Sequence, residues 1–153
     1  MIMRKNRGFT LIELLVVIAI IGILASIVLI SLRNMTDRAK DTRIKSAMSQ
    51  ARTIAQLIYD DYPSEGYQYF CEAGGTGFAH ASLSADYRDQ LNTLEADIFD
   101  QQPTDEIHCT SSVTDFCASA KLIVGGNYFC IDDDGNALVT STNPCSTASS
   151  TCQ

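Results

Sequence analysis

The chain has 153 residues, 46% of them hydrophobic, and its 18 acidic residues outnumber 11 basic ones, which gives a formal charge of −7. This length holds one membrane segment and one ordinary domain, which argues against a multidomain enzyme. Beyond residue 53 only Arg88 and Lys121 oppose 15 acidic residues. That part lacks the clustered basic side chains that bind phosphates, so we predict no direct nucleic-acid partner for it. Its acidity is also explained by solubility alone.

The first predicted element is an apolar helix over residues 9–32, in which Glu13 is the only charged side chain. At about 1.5 Å per residue, 24 helical residues span about 36 Å, enough to cross a hydrocarbon core of about 30 Å. A carboxylate inside such a segment costs about 2.5–3.5 kcal/mol, so Glu13 is a candidate functional residue. The alternative is an acid that reaches the headgroups from its position about 6 Å from Phe9 along the axis.

The residues before this helix are basic, with Arg4, Lys5 and Arg7 followed by Gly8. The apolar run is too long for an ordinary secretory signal, and no typical signal-peptidase site follows it. Residues 7–25, read as RGFTLIELLVVIAIIGILA, resemble the class III leader of type IV pilins and pseudopilins. The resemblance implies cleavage between Gly8 and Phe9 by a cytoplasmic prepilin peptidase and N-methylation of Phe9. It also implies that the apolar segment stays as membrane anchor and filament core.

The same resemblance assigns a role to Glu13, which would pair with the new Phe9 amine of a neighbouring subunit during assembly. A carboxylate in the first helical turn is also favoured by the helix dipole. Many members of the family carry a proline near the end of the membrane segment, whereas this chain has none before Pro63. The resemblance therefore does not extend to unwinding of the helix after Gly22.

The helix is predicted to continue as an amphipathic segment over residues 33–62. Apolar residues recur there at spacings of three and four, which indicates one buried stripe; they are Ile44, Ala47, Met48, Ala51, Ile54, Ala55 and Ile58. Asp41 and Lys45 are interpreted as a weakly favourable pair on the opposite face. Pro63 ends the helix, because proline pushes the preceding residue out of helical geometry.

Residues 63–153 are predicted to form a globular domain with a small antiparallel sheet. Residues 83–100 read as mixed or helical, while residues 116–124 and 127–131 flank Gly125-Gly126, a hairpin signal. A turn then leads into a strand over residues 137–140. With three or four strands against one long helix, the predicted fold class is α+β.

The even number of cysteines indicates up to three disulfides in an oxidising compartment, with 15 connectivities to choose from; the cysteines are Cys71, Cys109, Cys117, Cys130, Cys145 and Cys152. Pairing Cys145 with Cys152 would close a small C-terminal loop, and a structural zinc site is the alternative use of the thiols. The six bases that follow the apolar run would place the domain in the cytoplasm by charge count. The cysteines and the resemblance favour a cytoplasmic N-terminus and an extracytoplasmic domain.

One weak ion site is predicted at Asp132 and Asp134, because calcium favours clustered carboxylate oxygens. The spacing does not match an EF-hand loop, and a solvated hairpin turn is the favoured explanation of the acids. No other cofactor is predicted. Without a phosphate loop, a nucleophile elbow or a metal-ligand histidine pair, the sequence predicts no enzyme.

The sequence thus predicts a structural subunit of a type IV pilus-like filament, made as an inner-membrane precursor and assembled at the cell surface. The expected partners are the prepilin peptidase/N-methyltransferase, identical or related pilin subunits, the membrane and an inner-membrane assembly platform. One alternative is a type II secretion pseudopilin in a periplasmic filament. A different class of alternative is a monomeric membrane-anchored binding domain.

Overall fold

The computed structural model describes residues 8–103, 107–145 and 151–152. The chain divides into two compact units, Met1–Thr36 and Asp37–Gln153. Helix α1 covers Leu11–Asp61 and helix α2 covers Ala85–Gln101, with a short 3-10 turn at Gly66–Tyr69 between them. Four strands follow: β1 His108–Ser111, β2 Phe116–Lys121, β3 Tyr128–Asp132 and β4 Ala137–Thr140. The predicted α+β class, with one long N-terminal helix and a small antiparallel sheet, is confirmed.

Helix α1 has nearly the predicted ends, and its last turn passes into a tight loop. The Tyr62 N–H still bonds to the Ile58 carbonyl at 2.9 Å, and Pro63 then stops the helix. Gly66 follows with a φ of +58°, and a Cβ placed there would lie 1.7 Å from the Val113 carbonyl oxygen. Only glycine permits this close approach, which brings the loop after α1 against the chain between β1 and β2.

The sheet is a simple antiparallel meander in the order β1-β2-β3-β4. The register pairs Cys109 with Ala118, Ala118 with Ile131, and Ile131 with Ala137. The hairpin predicted at Gly125-Gly126 is present, and both glycines adopt positive φ. Strand β2 is shorter than predicted, because the chain leaves the ladder after Lys121 and the Ile123 and Val124 N–H groups bond to a helix side chain instead.

The core of the second unit lies between the C-terminal part of α1 and the sheet. All seven residues of the predicted apolar stripe are buried, from Ile44 to Ile58. They join large side chains from the loops, α2 and the sheet in one cluster that includes Phe70, Phe78, Leu91, Phe116 and Ile131. The Phe70 ring lies 5.1 Å from Phe78 and 4.9 Å from Phe116, within the range of favourable aromatic pairs. The stripe therefore marks the packing face of α1.

Asp41 does not lie on the solvent face, and the sequence interpretation is wrong at this residue. Its side chain is buried, and its two carboxylate oxygens accept the N–H groups of Ile123 at 2.7 Å and Val124 at 3.2 Å. Lys45 instead places its ammonium 6.0 Å from the centre of the Phe129 ring. The local spacing of Asp41 and Lys45 suggested a pair within the helix, but two backbone N–H groups of the hairpin, from a distant part of the chain, bond to both carboxylate oxygens of Asp41.

Three disulfides close the second unit and use all six cysteines: Cys71–Cys109, Cys117–Cys145 and Cys130–Cys152. The suggested Cys145–Cys152 pairing is wrong. Cys117 and Cys130 lie on neighbouring strands and each holds a different part of the C-terminal tail. Because every thiol is oxidised, the cysteines serve as cross-links in this structure and not as the zinc ligands of the alternative interpretation.

Candidate functional site

The candidate functional site is the N-terminal end of α1, where the predicted cleavage and methylation positions lie. Gly8, Phe9 and Thr10 precede the helix and are exposed, with 75% of the Phe9 side chain accessible. The leader bases Arg4, Lys5 and Arg7 lie outside the described residues. A Cβ added at Gly8 would meet no atom within 4 Å, so this fold places no steric demand for glycine there.

Glu13 is held by a reciprocal capping arrangement with Thr10, the residue before the first turn. The Thr10 backbone N–H and hydroxyl both donate to Glu13 Oε2, at 2.9 and 2.6 Å. In return, the Glu13 N–H donates to Thr10 Oγ1 at 3.3 Å. This is the capping-box geometry, which satisfies backbone donors that have no partner inside the helix. The acid therefore has hydrogen-bond partners within its own chain.

Thr10 is the residue of this site that the sequence interpretation missed. The signal was present, because a threonine three residues before a glutamate at the start of an apolar helix is the usual capping-box pattern. The interpretation assigned Glu13 to the helix dipole and to a neighbouring amine, and left the hydroxyl unused. The structure adds a local reason for an acid at this position.

The large apolar side chains that the structure describes in the first unit are exposed. From Phe9 to Leu32 the large hydrophobic residues whose side chains are described have between 46% and 84% of their surface accessible. Leu11–Asp61 contains a stretch long and apolar enough to cross a membrane, as judged by length and composition. Gly22 lies within the helix, where the Ser26 hydroxyl bonds to its carbonyl oxygen at 2.8 Å. Unwinding after Gly22 is not present in this structure.

The second unit contains the remaining predicted site residues, and there Asp132 has a structural role. This fully buried side chain accepts the Asn136 backbone N–H on Oδ1 at 2.8 Å. Its Oδ2 accepts the Asn136 side-chain amide at 2.8 Å and the Cys152 N–H at 3.0 Å. Asp134 is exposed in the same turn. A calcium ion would have to displace these hydrogen bonds to use Asp132, and the calcium site stays a prediction.

The two disulfides Cys117–Cys145 and Cys130–Cys152 lie close together, and their four cysteines form one buried cluster. Cys130 Sγ lies 3.6 Å from both Cys117 Sγ and Cys145 Sγ, and all four cysteines are buried. Cys71–Cys109 stands apart and ties the loop after α1 to β1. The structure thus joins the tail, the sheet and Asp132 into one cross-linked region, separate from the candidate site at Glu13.

Comparison with known proteins gives one family match, near the N-terminus, and several similar relatives. Residues 3–29 match the family described as the prokaryotic N-terminal methylation motif. The chain is 42% identical over 59 residues to a probable minor fimbrial protein of Dichelobacter nodosus, covering 39% of this chain and 37% of that protein. It is 46% identical over 54 residues to a fimbrial protein of Pseudomonas aeruginosa, covering 35% of each. No solved structure matches the chain.

A longer match joins the chain to the type IV major pilin protein PilA of Myxococcus xanthus strain DK1622, at 39% identity over 75 residues. That match covers 49% of this chain and 32% of the relative. The chain therefore spans only about a third of the length of these relatives. These relatives are structural pilin and fimbrial proteins, in agreement with the prediction of a protein that is not an enzyme. The chain thus carries the prokaryotic N-terminal methylation motif and is similar, over less than half of its length, to fimbrial and type IV pilin proteins.

Proposed function

We propose that this chain is a structural subunit of a type IV pilus-like filament that assembles through α1. A membrane-inserted precursor with a cytoplasmic N-terminus is cleaved between Gly8 and Phe9 and methylated at Phe9. The acidic, disulfide-linked domain then lies on the outer side of the membrane and on the surface of the filament. The partners are the prepilin peptidase, an inner-membrane assembly platform and other pilin subunits.

The observation that carries this proposal is the combination of the methylation motif over residues 3–29 with an apolar helix whose described large hydrophobic side chains, from Phe9 to Leu32, are exposed. Such a surface is stable only in lipid or against other apolar helices, because exposing it to water is unfavourable. The second unit buries its own core without help from this segment. A helix that leaves lipid and then packs against the helices of neighbouring subunits accounts for its exposed apolar surface and for the separate core of the second unit.

Glu13 is proposed to pair with the methylated amine of Phe9 in an adjacent subunit. In a low-dielectric helix bundle an unpaired charge is costly, whereas an amine and a carboxylate in contact offset each other's desolvation. The bonds from Thr10 fix the Glu13 carboxylate at the helix start before assembly. Thr10 is therefore a positioning residue, and the amine provides the charge that only processing creates.

Processing is tested by mass spectrometry of the mature chain from cells with the peptidase. The expected mass begins at a methylated Phe9, and a Gly8 variant with a large side chain should accumulate as precursor. A mature chain that still starts at Met1 would contradict the proposal and favour a monomeric membrane-anchored binding domain. Co-purification of filaments with processed chain distinguishes a subunit from a processed monomer.

Assembly is tested with a matched pair of substitutions at Glu13. Glu13→Gln keeps an oxygen for the capping bonds from Thr10 but has no charge, whereas Glu13→Ala loses both. If the charge pairing is correct, both variants are processed and both assemble poorly. If Glu13→Gln assembles normally while Glu13→Ala does not, the role of the acid is helix capping alone. Thr10→Ala, which retains the backbone bond to Glu13, should have the mildest effect of the three.

The choice between a pilus and a type II secretion pseudopilus depends on the machinery that assembles the filament. The names of the relatives, which are fimbrial and pilin proteins, favour the pilus. Expression of the chain with each assembly system, followed by electron microscopy of sheared surface material, tests the choice. Filaments formed only with the secretion system would reverse it.

A further inference from the structure

Helix α2 leaves an open groove where it packs against the C-terminal part of α1. Leu91 and Ile98 hold α2 in the core. Beside them lies a groove of about 450 Å³, whose apolar lining residues are Ile54, Leu57 and Leu94. A second groove of about 440 Å³ shares Leu94 and extends this surface along α2. This surface is named the α1–α2 groove and is defined by Ile54, Leu57 and Leu94.

The α1–α2 groove has the character of a site for an apolar side chain. Ile54 is only 8% exposed, whereas Leu57 is 47% exposed. A single exposed leucine on a convex surface is ordinary. Here the leucine lines a concave surface whose other described lining residues are all uncharged. Clefts of this kind hold apolar groups, because covering the apolar lining removes it from water.

The rim of the groove on α2 is acidic. Helix α2 contains five acidic residues and one basic residue, Arg88. Asp97 forms an ion pair with Arg43 of the same chain. Asp89 is exposed, precedes the groove-lining Thr93 by one helical turn, and has no ion-pair partner among the described residues. The rim therefore attracts a basic occupant and repels an acidic one.

One segment of this chain combines exposed apolar side chains with basic residues. Leu32 and Met35 lie three residues apart in α1, a spacing that makes them neighbours on the helix surface, and they are 51% and 63% exposed. Met35 lies beyond Arg33, outside the apolar run over residues 9–32. Arg38 follows Met35 by three residues and is exposed. Leu32, Met35 and Arg38 are named the Met35 segment.

We propose that the α1–α2 groove of one subunit receives the Met35 segment of a second copy of this chain. Met35 packs against Leu57, since its unbranched thioether chain fits irregular apolar gaps. Arg38 then lies beside Asp89 of the receiving subunit. The inference rests on the proposed filament function and specifies which surfaces of two subunits meet.

Charge selects this segment from the other surfaces of a second copy. Residues 33–52 contain six bases and two acids, whereas beyond residue 53 two bases oppose 15 acids. The acidic rim on α2 therefore repels most of the second unit of a neighbouring copy and attracts the stretch that contains Arg38.

The proposed contact joins two different surfaces and is therefore heterologous. A bound pair keeps one unfilled groove and one unused Met35 segment, so further copies can add at either end. A contact between two identical patches would instead stop at a dimer. This docking supports growth of a filament outside the membrane and acts in addition to the pairing proposed for Glu13.

Cross-linking between two differently tagged chains tests the contact. All six native cysteines are in disulfides, so an introduced cysteine supplies the one reactive thiol of its chain. Full-length chains with Met35→Cys and with Leu57→Cys are expressed together with the assembly machinery, and the sheared filaments are treated with a short bismaleimide. We expect a covalent product that carries both tags. Because Met35 and Leu57 are exposed, both substitutions leave the core unchanged.

The matched control uses Leu138→Cys on β4 in place of Leu57→Cys. The native Leu138 side chain is also 47% exposed, so its thiol is equally accessible to the reagent. We expect about tenfold less two-tag product from this pair, because a short linker joins only thiols that the assembly holds close together. Equal yields from the two pairs would overturn the groove contact.

Charge reversal tests the pairing of Arg38 with Asp89. Arg38→Glu on the Met35→Cys chain should lower the yield by up to about fivefold, the size expected for one exposed ion pair. Asp89→Arg on the Leu57→Cys chain should restore the yield. Asp134→Arg makes the same change of charge at an exposed turn and should not restore it. Equal rescue by the two arginine variants would contradict the proposed orientation of the segment.

Two further outcomes separate the groove from the proposed function. A cross-link from Leu57→Cys to a different protein, without the two-tag product, would assign the groove to another partner and overturn the proposal. Electron microscopy of the same material reports filaments independently. Filaments without the two-tag product refute only the groove contact, whereas processed chain without filaments refutes the proposed function and this contact with it.

Discussion

Helix α1 contains two regions with similar apolar residues and opposite surroundings. In the first unit Ile18 is 60% exposed, whereas in the second Ile44 is fully buried in the core. The methylation motif covers residues 3–29 and so lies wholly in the first unit. The described part of the motif thus coincides with exposed apolar surface. The second region uses the same helix as one wall of a domain that completes its own core.

The largest effect on stability is expected when a disulfide is removed from the second unit. Replacing Cys117 and Cys145 with alanine opens a disulfide of sequence separation 28, which should lower the free energy of unfolding by about 3–4 kcal/mol. Denaturant unfolding of the full chain in micelles without reductant, followed by near-ultraviolet circular dichroism, measures the loss. A variant as stable as the unmodified chain would show that packing alone holds the tail.

The same substitution at two positions of α1 compares the regions directly. Ile44→Ala should cost about 3 kcal/mol, because a buried side chain leaves a cavity in the packed core. Ile18→Ala, at an exposed position of the same helix, should leave the unfolding midpoint of the domain unchanged. Both are measured under identical denaturant conditions. Equal losses would mean that the two regions unfold as one cooperative body.

A smaller effect is expected from Asp41, which joins α1 to the β2–β3 hairpin. Asp41→Ala leaves the Ile123 and Val124 N–H groups without their carboxylate partners and should cost about 2 kcal/mol. Asp37→Ala, one turn earlier on the same helix, provides the control and should change stability by less than about 0.5 kcal/mol. The same loss in both variants would contradict a specific role for the two hydrogen bonds.

The smallest effect is a pH dependence at Glu95 of α2. Burial raises the pKa of this carboxyl above its ordinary 4.5, although its bond from the Phe78 N–H acts in the opposite direction. Because the folded state then binds the proton more tightly than the unfolded state, stability falls as pH rises from 4.5 through the raised pKa. Glu95→Gln should flatten this part of a stability-against-pH curve. An unchanged slope in the variant would contradict the assignment.

The predictions from sequence succeeded where the signal was local. The spacing of seven apolar residues identified the packing face of α1, and the paired glycines identified the β2–β3 turn. They failed where the partner lies far along the chain. Asp41 bonds to groups more than 80 residues away, and Cys145 bonds to Cys117 and not to its neighbour Cys152. No local pattern encodes which of two distant residues will be adjacent after folding.

At the candidate site, too, some features were predicted from the sequence and others were not. The apolar run and its single acid were evident from the sequence, because a membrane segment and its charges are properties of composition. The contact between Thr10 and Glu13 was encoded in a spacing of three, although the interpretation did not use it.

The sequence by itself determined the apolar N-terminal segment, the helix period, the fold class and the oxidised state of the cysteines, since each depends on residue type and short-range spacing. Tertiary structure alone decided the disulfide pairing and the burial of Asp41 and Asp132. These features depend on which backbone groups and side chains the closed core brings within bonding distance. These contacts stabilise the fold only once distant segments are close together, and bringing them together costs conformational entropy.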